Sequence, residues 1–365
     1  MILLLKNEEV RELLSMGEAI QAMEAAFGEY ARGMAVNRPR IRYTCASSAP
    51  EFRYCANVHC GAVPGCGIAA VRTDSRLWAE FVDPQTGIKR REPSKPIPPS
   101  ADLVLLYSLE TGQLLAILQN FSLTALRVGA TTGLAMKYLA REDADTVGMF
   151  GSGNQAKANL EAICKVRPIR KVKVYSPKKE HRTRFAGEMS RRLDIEMVPA
   201  DSPEATVTGA DIICCATNSS GPVFDGTWLE AGQTVVTIVN TDVVSLKTEA
   251  DEKTFVRSDL IVINDRESVF ANKQRELLDP IEKGLFSWDK VVELGNIISR
   301  TANGRQQSEE LIYYKNNTGM AIQFAAAGEA IYKRAIRDGV GRKLPAEWFG
   351  TDLSEWYATG YSPSE

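Results

Sequence analysis

The sequence has little histidine, no long apolar run and almost no excess of charge of either sign. Its 365 residues include two histidines, and 44 lysines and arginines stand against 46 aspartates and glutamates, which gives a net charge of −2. A chain so nearly neutral gives no electrostatic reason to expect nucleic acid or an acidic membrane surface as a partner. No apolar run approaches the roughly 20 residues that span a bilayer, and the apolar start, residues 1–5, is too short for a signal-peptide core. We therefore expect a cytoplasmic protein.

Cysteine is present, but its pattern does not indicate a structural framework. Seven is an odd number, and a long chain without a signal segment argues against a disulfide scaffold. The pair at 214–215 lies in an apolar run and is expected in the core. Cys55, His59, Cys60 and Cys66 lack the paired Cys-x-x-Cys spacing of structural zinc sites. We therefore expect thiols there and no metal.

A chain of 365 residues is long for a single hydrophobic core, so we expect two domains. Residues 9–33 repeat apolar side chains at helical spacing and predict a helix, in which Ser15 and Glu18 fit a capping box. Residues 40–76 carry the short apolar runs that are typical of strands. The first third of the chain is therefore expected to be a mixed α+β unit.

A basic, proline-rich stretch leads from this region into a hairpin. Residues 89–100 are expected to form a long loop. The apolar runs 102–108 and 113–118 then flank Glu110-Thr111-Gly112. Two apolar runs joined by a turn that contains glycine predict a β-hairpin.

Strands and helices alternate in the second part of the chain. Strands are predicted at 147–150, 171–175, 195–198, 211–216 and 234–239, and helices at 124–139, 154–166, 180–192 and 319–337. This alternation predicts an α/β fold with a Rossmann-type, doubly wound parallel sheet and helices on both of its faces.

A glycine-rich loop follows the first of these strands and opens a helix. It has the form G-x-G-x-x-A and consists of Gly151, Ser152, Gly153, Asn154, Gln155 and Ala156. The first glycine allows the tight turn, the second lets the backbone approach a pyrophosphate, and the small third residue packs the helix against the strand. The amides of the helix N-terminus then face the phosphates. The alternative is a plain strand-to-helix turn, but the repeated strand–helix units favour a dinucleotide site.

The end of the second strand bears on which nicotinamide cofactor binds. Folds that prefer NAD usually carry an acidic residue there, which holds the ribose hydroxyls. This chain has none directly after Tyr175, and Ser176, Lys178, Lys179 and Arg182 could surround a 2′-phosphate. An ordinary basic surface loop is the alternative. We expect NADP(H), with NAD(H) as the second choice.

Several segments, taken together and in order, resemble the ornithine cyclodeaminase/mu-crystallin family. They are residues 110–116, 123–127, 151–156, 211–217, 229–232 and 314–323. The resemblance covers nearly the whole chain. It implies a Rossmann domain at 124–319, and an α+β substrate-binding and dimerisation domain made of 1–123 and 320–365. It also implies a homodimer that uses a nicotinamide to oxidise an amino acid carbon or to reduce an imine.

The resemblance further implies a substrate site. Arg127 matches the family arginine that grips the substrate carboxylate, and the guanidinium fork suits that group. A surface ion pair is the alternative. Arg40 matches the second carboxylate-binding arginine, although Arg38 or Arg42 could fill that place. Asp242 matches the acid that faces the substrate amino group, and is a predicted catalytic residue.

One position departs from the family pattern. The family usually has a lysine in a strand after the first arginine, and here Arg72 takes that place, or Ala69 if the alignment shifts. Arginine effectively stays charged, whereas a lysine can be tuned to release its proton. Arg72 is therefore predicted to act by binding a carboxylate or polarising a carbonyl, beside Asp242. His59 is the sole histidine that could serve as a base, because His181 lies on a helix expected on the cofactor side.

Three functions are compatible with this pattern. The leading one is an NADP(H)-dependent reductase of an imine, or of a keto acid with an amine, which also runs as an amino acid dehydrogenase. The others are an ornithine cyclodeaminase-type lyase with tightly held NAD and a non-catalytic binding protein. Arg127 and Asp242 favour an enzyme, and the missing lysine disfavours the lyase. Thr217 and Asn218, which follow another strand, are expected to approach the dinucleotide.

Overall fold

A computed structural model gives the positions of most of the chain. It describes residues 1–82, 89–93, 101–239, 247–316, 319–352 and 354, with the backbone alone at 80–82 and 89–93. The strands are β1 (Ile2–Leu5), β2 (Val36–Asn37), β3 (Ile41–Ala46), β4 (Phe52–Val63), β5 (Ile68–Val82), β6 (Lys89–Pro93), β7 (Asp102–Ser108), β8 (Leu114–Gln119), β9 (Thr146–Phe150), β10 (Lys171–Tyr175), β11 (Glu196–Pro199), β12 (Ile212–Cys215), β13 (Thr234–Thr237), β14 (Leu260–Ile263), β15 (Val291–Glu293), β16 (Ile312–Lys315) and β17 (Arg342–Leu344).

The α-helices alternate with these strands in the second half of the chain. They are α1 (Asn7–Glu12), α2 (Met16–Ala31), α3 (Phe121–Leu139), α4 (Asn154–Val166), α5 (Lys179–Leu193), α6 (Pro203–Val207), α7 (Glu252–Arg257), α8 (Arg266–Ala271), α9 (Arg275–Glu282), α10 (Leu294–Ile298) and α11 (Ala321–Asp338).

The first sheet is mostly antiparallel and combines the beginning and the end of the chain. Its order is β17-β1-β8-β7-β5-β4-β2, with β3 beside β4 and β6 beside β5. The predicted hairpin is confirmed, since β7 and β8 pair antiparallel. The long strands β4 and β5 also pair antiparallel, which places His59 opposite Arg72 and Asn57 opposite Asp74.

The second sheet is parallel throughout its described strands. Its order is β11-β10-β9-β12-β13-β16-β14-β15. The order reverses between β9 and β12, which is the switch point where doubly wound sheets bind ligands. The predicted Rossmann-type α/β fold is confirmed.

Helix α3 joins the two sheets because small residues let it approach its neighbours. A Cβ added at Gly129 would lie 2.6 Å from the carbonyl oxygen of Ala158 on α4, and one at Gly133 would lie 2.9 Å from Ile20 on α2. The small residues of α3 therefore permit its close packing against α2 and α4. The expected core position of Cys214 and Cys215 is confirmed as well, since both are fully buried.

Two predictions of secondary structure were wrong in part. The helix expected over 9–33 is broken into α1 and α2, because Ser15 takes extended backbone and caps α2. Its hydroxyl accepts the N–H of Glu18, and the Glu18 carboxylate accepts the N–H of Ser15, so the capping box itself is confirmed. The stretch 89–100, expected as a loop, begins with strand β6, which pairs with β5. Its remainder, 94–100, lies outside the described residues. No helix within the described ranges is long and apolar enough to cross a lipid bilayer.

Candidate active site

The glycine-rich loop lies at the carboxyl edge of the parallel sheet, between β9 and α4. Gly151 has φ +107°, and a Cβ there would lie 2.3 Å from the carbonyl oxygen of Ala216, so only glycine fits this close approach. A Cβ at Gly153, by contrast, would meet no atom within 4 Å. Gly153 is the N-cap residue of α4, and no side chain caps that helix end. Open space above uncapped helix amides is the arrangement that receives a pyrophosphate.

The other residues of this loop divide between packing and exposure. Ala156 is fully buried against the sheet, as the motif requires. Ser152 and Gln155 are half-buried, and Asn154 is exposed at the first position of the helix. The side-chain oxygen of Gln155 is buried and has no hydrogen-bond partner among the described residues.

The segment after β10 brings two of the predicted cofactor residues together. Arg182 on α5 is buried, its Nη1 donates to the carbonyl oxygen of Ser176 at 2.9 Å, and its guanidinium lies 5.5 Å from the ring centre of Tyr175. Its Nε has no hydrogen-bond partner among the described residues. Lys178 and Lys179 are exposed. Arg182 therefore shapes the turn, and the two lysines stand beside it in solvent.

Thr217 and Asn218 follow β12 at the same edge of the sheet. The backbone N–H and the hydroxyl of Thr217 donate to one oxygen of the buried Glu249, at 2.6 and 2.8 Å. Asn218 is exposed. Asp242, the predicted acid, lies outside the described residues.

Arg127 lies in the second turn of α3, which begins at residue 121, three residues earlier than predicted. The helix dipole falls off within the first turn, so a ligand there would be held by the guanidinium itself. Nη1 of Arg127 donates to the side-chain oxygen of Gln323 at 2.9 Å, and the guanidinium lies 5.0 Å from the ring centre of Phe324. Nε has no hydrogen-bond partner among the described residues. Burial, with Arg72 and Arg40 nearby, lowers the pKa of Arg127 to about 9, so it stays charged at neutral pH.

Arg72 is buried and held by two carboxylates of its own sheet. It forms ion pairs with Asp74 and Asp102, and it reaches the two oxygens of Asp102 through Nε and Nη2, both at 3.1 Å. Asn120 also donates to Asp102, at 2.7 Å. The guanidinium of Arg72 is therefore fixed in place and largely neutralised locally.

The second carboxylate-binding arginine was left open among three residues. Arg38 is exposed, and Nε of Arg42 donates to Asn57 at 2.6 Å. Arg40 is half-buried and close enough to Arg127 to lower its pKa. These positions support Arg40 over Arg38.

His59 is buried, close to the charges of Arg72 and Arg127. Its ring meets that of Phe324 edge-on at 5.7 Å, and Nδ1 has no hydrogen-bond partner among the described residues. A Cβ added at Gly319 would lie 2.9 Å from Nε2 of His59 and 3.2 Å from Nη2 of Arg127, so the imidazole and the guanidinium meet at this glycine. Burial, followed by the charges of Arg72, Arg127 and the arginines at 40 and 42, holds the pKa of His59 well below its usual value. His59 is therefore neutral.

The turn of α3 that carries Arg127 is tied to the same carboxyl edge of the parallel sheet as the glycine-rich loop. Asn316 directly follows β16, and its amide donates to the carbonyl oxygen of Val128 at 2.9 Å and to Thr132 at 2.8 Å. The turn of α3 that carries Arg127 is thereby tied to the carboxyl end of a strand of the parallel sheet. An excess of guanidinium groups with a neutral imidazole can bind a carboxylate next to a dinucleotide.

Sequence reasoning missed two residues of this site. Gln323 lies inside the segment 314–323 but was given no role, and Glu249 was not singled out. A polar residue inside the apolar face of α11 was the available signal for Gln323. The sequence offered no comparable signal for Glu249.

The chain matches known proteins over most of its length. The model of the ornithine cyclodeaminase/mu-crystallin family matches residues 86–339. The alanine dehydrogenase of Archaeoglobus fulgidus is 31% identical over 349 residues, which cover 94% of this chain and 98% of that protein. A solved structure of Thermococcus litoralis Delta(1)-pyrroline-2-carboxylate reductase with NADH and L-proline is similar with a TM-score of 0.81 at 28% identity, over 94% of this chain and 100% of that chain. An archaeal alanine dehydrogenase dimer with bound NAD has a TM-score of 0.77 at 28% identity, over 94% of this chain and 99% of that chain.

Proposed function

The chain belongs to the ornithine cyclodeaminase/mu-crystallin family, and we propose that it is an NAD(P)H-dependent oxidoreductase that reduces an imine carboxylate to an amino acid, or runs in reverse. The observation that carries this proposal is the meeting of Arg127 and His59 at Gly319, beside the carboxyl edge of the parallel sheet. The similar alanine dehydrogenase and pyrroline-2-carboxylate reductase support the same class of reaction, since both names describe a change between an imine or keto acid and an amino acid.

Arg127 binds the substrate carboxylate in this proposal, with Arg40 as the second cation. A charged group held in a poorly solvated site attracts a carboxylate more strongly than it would in water. Gln323 keeps the guanidinium in one orientation through its 2.9 Å hydrogen bond, without adding a competing negative charge. In an α-imino acid, the carbon that is reduced is bonded to the carboxylate carbon. Binding the carboxylate therefore also fixes the position of the reacting carbon.

Reduction of an imine adds a hydride to carbon and a proton to nitrogen. The dinucleotide, when bound along the loop 151–156, supplies the hydride. Asp242 is the proposed proton donor to the nitrogen, and it takes the proton back in the oxidative direction. Asp242 comes a few residues after β13, whose carboxyl end faces the same edge as the glycine-rich loop.

Arg72 and His59 are proposed to replace the missing family lysine between them. Arg72 keeps its proton and is fixed in one position by Asp74 and Asp102, which largely offset its charge. Because arginine does not give up its proton at working pH, the proton transfer is left to Asp242, with His59 as the second candidate. His59 is neutral and buried beside Arg127, so it is the available imidazole.

The cofactor is proposed to be NADP(H), with NAD(H) as the alternative. Support comes from the absence of an acid directly after β10 and from the basic residues Lys178, Lys179 and Arg182 around Ser176. The similar solved structures hold NADH and NAD. The proposed preference for NADP(H) therefore rests on the residues of this turn.

The proposal also covers the assembly of the protein and the division of the chain into domains. We propose a homodimer, supported by the similar alanine dehydrogenase dimer. Residues 1–123 with 320–365 form the proposed substrate-binding domain, and 124–319 the dinucleotide-binding domain. The cytoplasmic location stays a prediction from composition.

A substrate screen tests the proposed function. The protein is mixed with NADPH or NADH and a panel of cyclic imine carboxylates and of keto acids with ammonia or an amine. Loss of the reduced dinucleotide with at least one member is expected. No turnover with any member, by a protein that binds the dinucleotide, would contradict the proposal.

A further inference from the structure

A buried carboxylate joins the two strand ends that border the proposed dinucleotide site. Oε1 of Glu249 accepts the backbone N–H and the hydroxyl of Thr217, at 2.6 and 2.8 Å. Oε2 accepts the backbone N–H groups of Ile238 and Val239, at 2.9 Å each. Thr217 follows β12 and Val239 follows β13, and these strands are neighbours in the sheet. One side chain therefore holds two separate segments at the carboxyl edge.

The backbone of Glu249 is held by a second carboxylate, which is itself paired with a lysine. Oε1 of Glu276 accepts the backbone N–H of Glu249 at 3.1 Å, and Oε2 of Glu276 forms an ion pair with Nζ of Lys315. Nζ of Lys315 also donates to the hydroxyl of Thr237, at 3.2 Å. Glu249 and Lys315 are almost completely buried, and Glu276 is buried too. We call these three residues the Glu249–Lys315–Glu276 cluster.

Such a cluster is costly to bury unless every charge is satisfied. The two oxygens of Glu249 accept four hydrogen bonds, which offset the loss of water. Burial raises the pKa of Glu249, while Lys315 and the hydrogen bonds from Thr217 and Val239 oppose that rise. The buried charge of Glu249 fixes irregular backbone at the edge of the sheet where a ligand is expected. This favours a role in keeping that backbone in the conformation that binds the ligand.

We propose that Glu249 is a positioning residue for the dinucleotide, and that it acts by locking the segments after β12 and β13 before the dinucleotide binds. The inference rests on the proposed function, because it takes these segments to border the dinucleotide. Ordering a loop upon binding costs free energy and lowers the affinity for the ligand. Segments that are ordered before the dinucleotide binds avoid that cost. Asp242 follows Val239 by three positions in the sequence, so the same hydrogen bonds also fix the last described backbone before the proposed proton donor.

The direct test compares Glu249→Gln with Glu24→Gln. The amide of the first variant keeps the size of the side chain but turns an N–H donor towards the N–H groups of one segment. We expect NADPH and NADH to bind at least about tenfold more weakly, by fluorescence titration. Glu24 is a matched control, because its carboxylate accepts from Lys137 and Tyr138 on α3, away from the strand ends. Its variant should bind within about twofold of the unmodified chain.

Two further readouts separate positioning from general stability. Both variants are titrated at a temperature at which circular dichroism shows them folded, and the KM for the imine carboxylate should change less than dinucleotide affinity, since Arg127 is untouched. In the unmodified chain without dinucleotide, the amides of Thr217, Ile238 and Val239 should exchange slowly with deuterium. Fast exchange of these amides would overturn the inference.

The outcomes also separate this inference from the proposed function. Unchanged dinucleotide binding by a folded Glu249→Gln variant removes the role of Glu249 and leaves the proposed function intact. Loss of binding confined to that variant supports the role. If the unmodified chain binds neither dinucleotide, the proposed function and this role both fail.

Discussion

Gln323 accepts a hydrogen bond of 2.9 Å from Nη1 of Arg127, although the two residues are 196 positions apart in the sequence. Gln323 lies on α11 and Arg127 on α3, so the contact joins the last long helix to the start of the proposed dinucleotide domain. Gln323 also accepts the N–H of Met320 and donates to Thr131, at 3.0 and 2.8 Å. The partner of the proposed carboxylate-binding guanidinium is therefore a neutral group with its own fixed contacts.

The neutrality of Gln323 gives the first prediction. Gln323→Glu keeps the shape of the side chain but places a carboxylate where it pairs with Arg127. A carboxylate substrate would then lose its partner, and Arg127→Ala should have a similar effect, because a hydrogen bond to a charged group contributes ~1.5–3 kcal/mol. We expect KM for the substrate to rise by about ten- to 150-fold in either variant, measured by steady-state kinetics. Arg11→Ala, at an exposed position on α1, is the control and should leave KM unchanged. An unchanged KM in both test variants would place the substrate site elsewhere.

The open space at Gly153 gives the second prediction. Since a Cβ there meets no atom within 4 Å, Gly153→Val should fold normally. Its side chain would occupy the path of the pyrophosphate, so binding of NADPH and of NADH should be lost. Gly17→Val, also without a neighbour within 4 Å but on α2, should bind both normally. Isothermal titration calorimetry measures dinucleotide binding by the two variants, and thermal melting shows whether both are folded. Normal dinucleotide binding by Gly153→Val would show that the loop is only a strand-to-helix turn.

The basic turn after β10 gives the third prediction, on the choice of cofactor. Tighter binding of NADPH than of NADH is expected by fluorescence titration. Lys178→Ala should reduce that difference, since an exposed lysine beside a 2′-phosphate acts mainly on the phosphorylated form. The matched control is Lys165→Ala, which removes a lysine from the last turn of α4, at the end of this helix opposite the glycine-rich loop. NADH binding as tight as or tighter than NADPH binding would refute the preference for NADP(H).

Much of the parallel sheet could be predicted because its signals are local. Helix α4 and strand β10 have the predicted bounds, residues 154–166 and 171–175, since each is set by a short apolar pattern and its own ends. The break before α2 was missed because helical periodicity continues across it, and only the backbone conformation of Ser15 reveals the cap. Strand β6 was missed because its charged residues pair with a strand of opposite direction, which composition does not record.

The site was less predictable, because its partners are distant in sequence. Arg127 was predicted, but its contact with Gln323 depends on how α3 packs on α11. Glu249 contacts Thr217 across 32 residues and has no motif of its own. The pairing of Arg72 with Asp102 follows from the register of β5 with β7, whereas Asp74 lies two residues further along the same strand. A pattern along the chain identifies residue types, whereas the fold decides which of them meet.

The buried histidine gives the fourth prediction, on stability against pH. Burial and the neighbouring arginines hold the pKa of His59 well below its usual value, so the folded chain does not take up this proton near neutral pH. The unfolded chain does so below about pH 6.5. The free energy of unfolding should therefore fall as pH falls below about 6.5, by up to ~1.4 kcal/mol per pH unit from this residue, until the folded pKa is reached.

Comparison with His59→Gln isolates that contribution. Urea unfolding of the unmodified chain and the variant at about pH 7, 6 and 5 gives the two pH dependences. The unmodified chain should lose stability faster than the variant as the pH falls, because carboxylates contribute equally to both. Parallel pH dependences would show that His59 is protonated in the folded chain.

The central claim, a reductase of imine carboxylates, is tested most directly by giving the unmodified protein two substrates in parallel. One is 1-pyrroline-2-carboxylate with NADPH or NADH, and the other is ornithine with NAD; proline and ammonia are measured in both. A cyclodeaminase must transfer protons during ring closure and release of ammonia. Arg72 cannot carry out these transfers, because arginine keeps its proton. We predict proline and oxidised dinucleotide from the imine, and neither proline nor ammonia from ornithine. Proline and ammonia formed from ornithine, without net consumption of dinucleotide, would contradict this account.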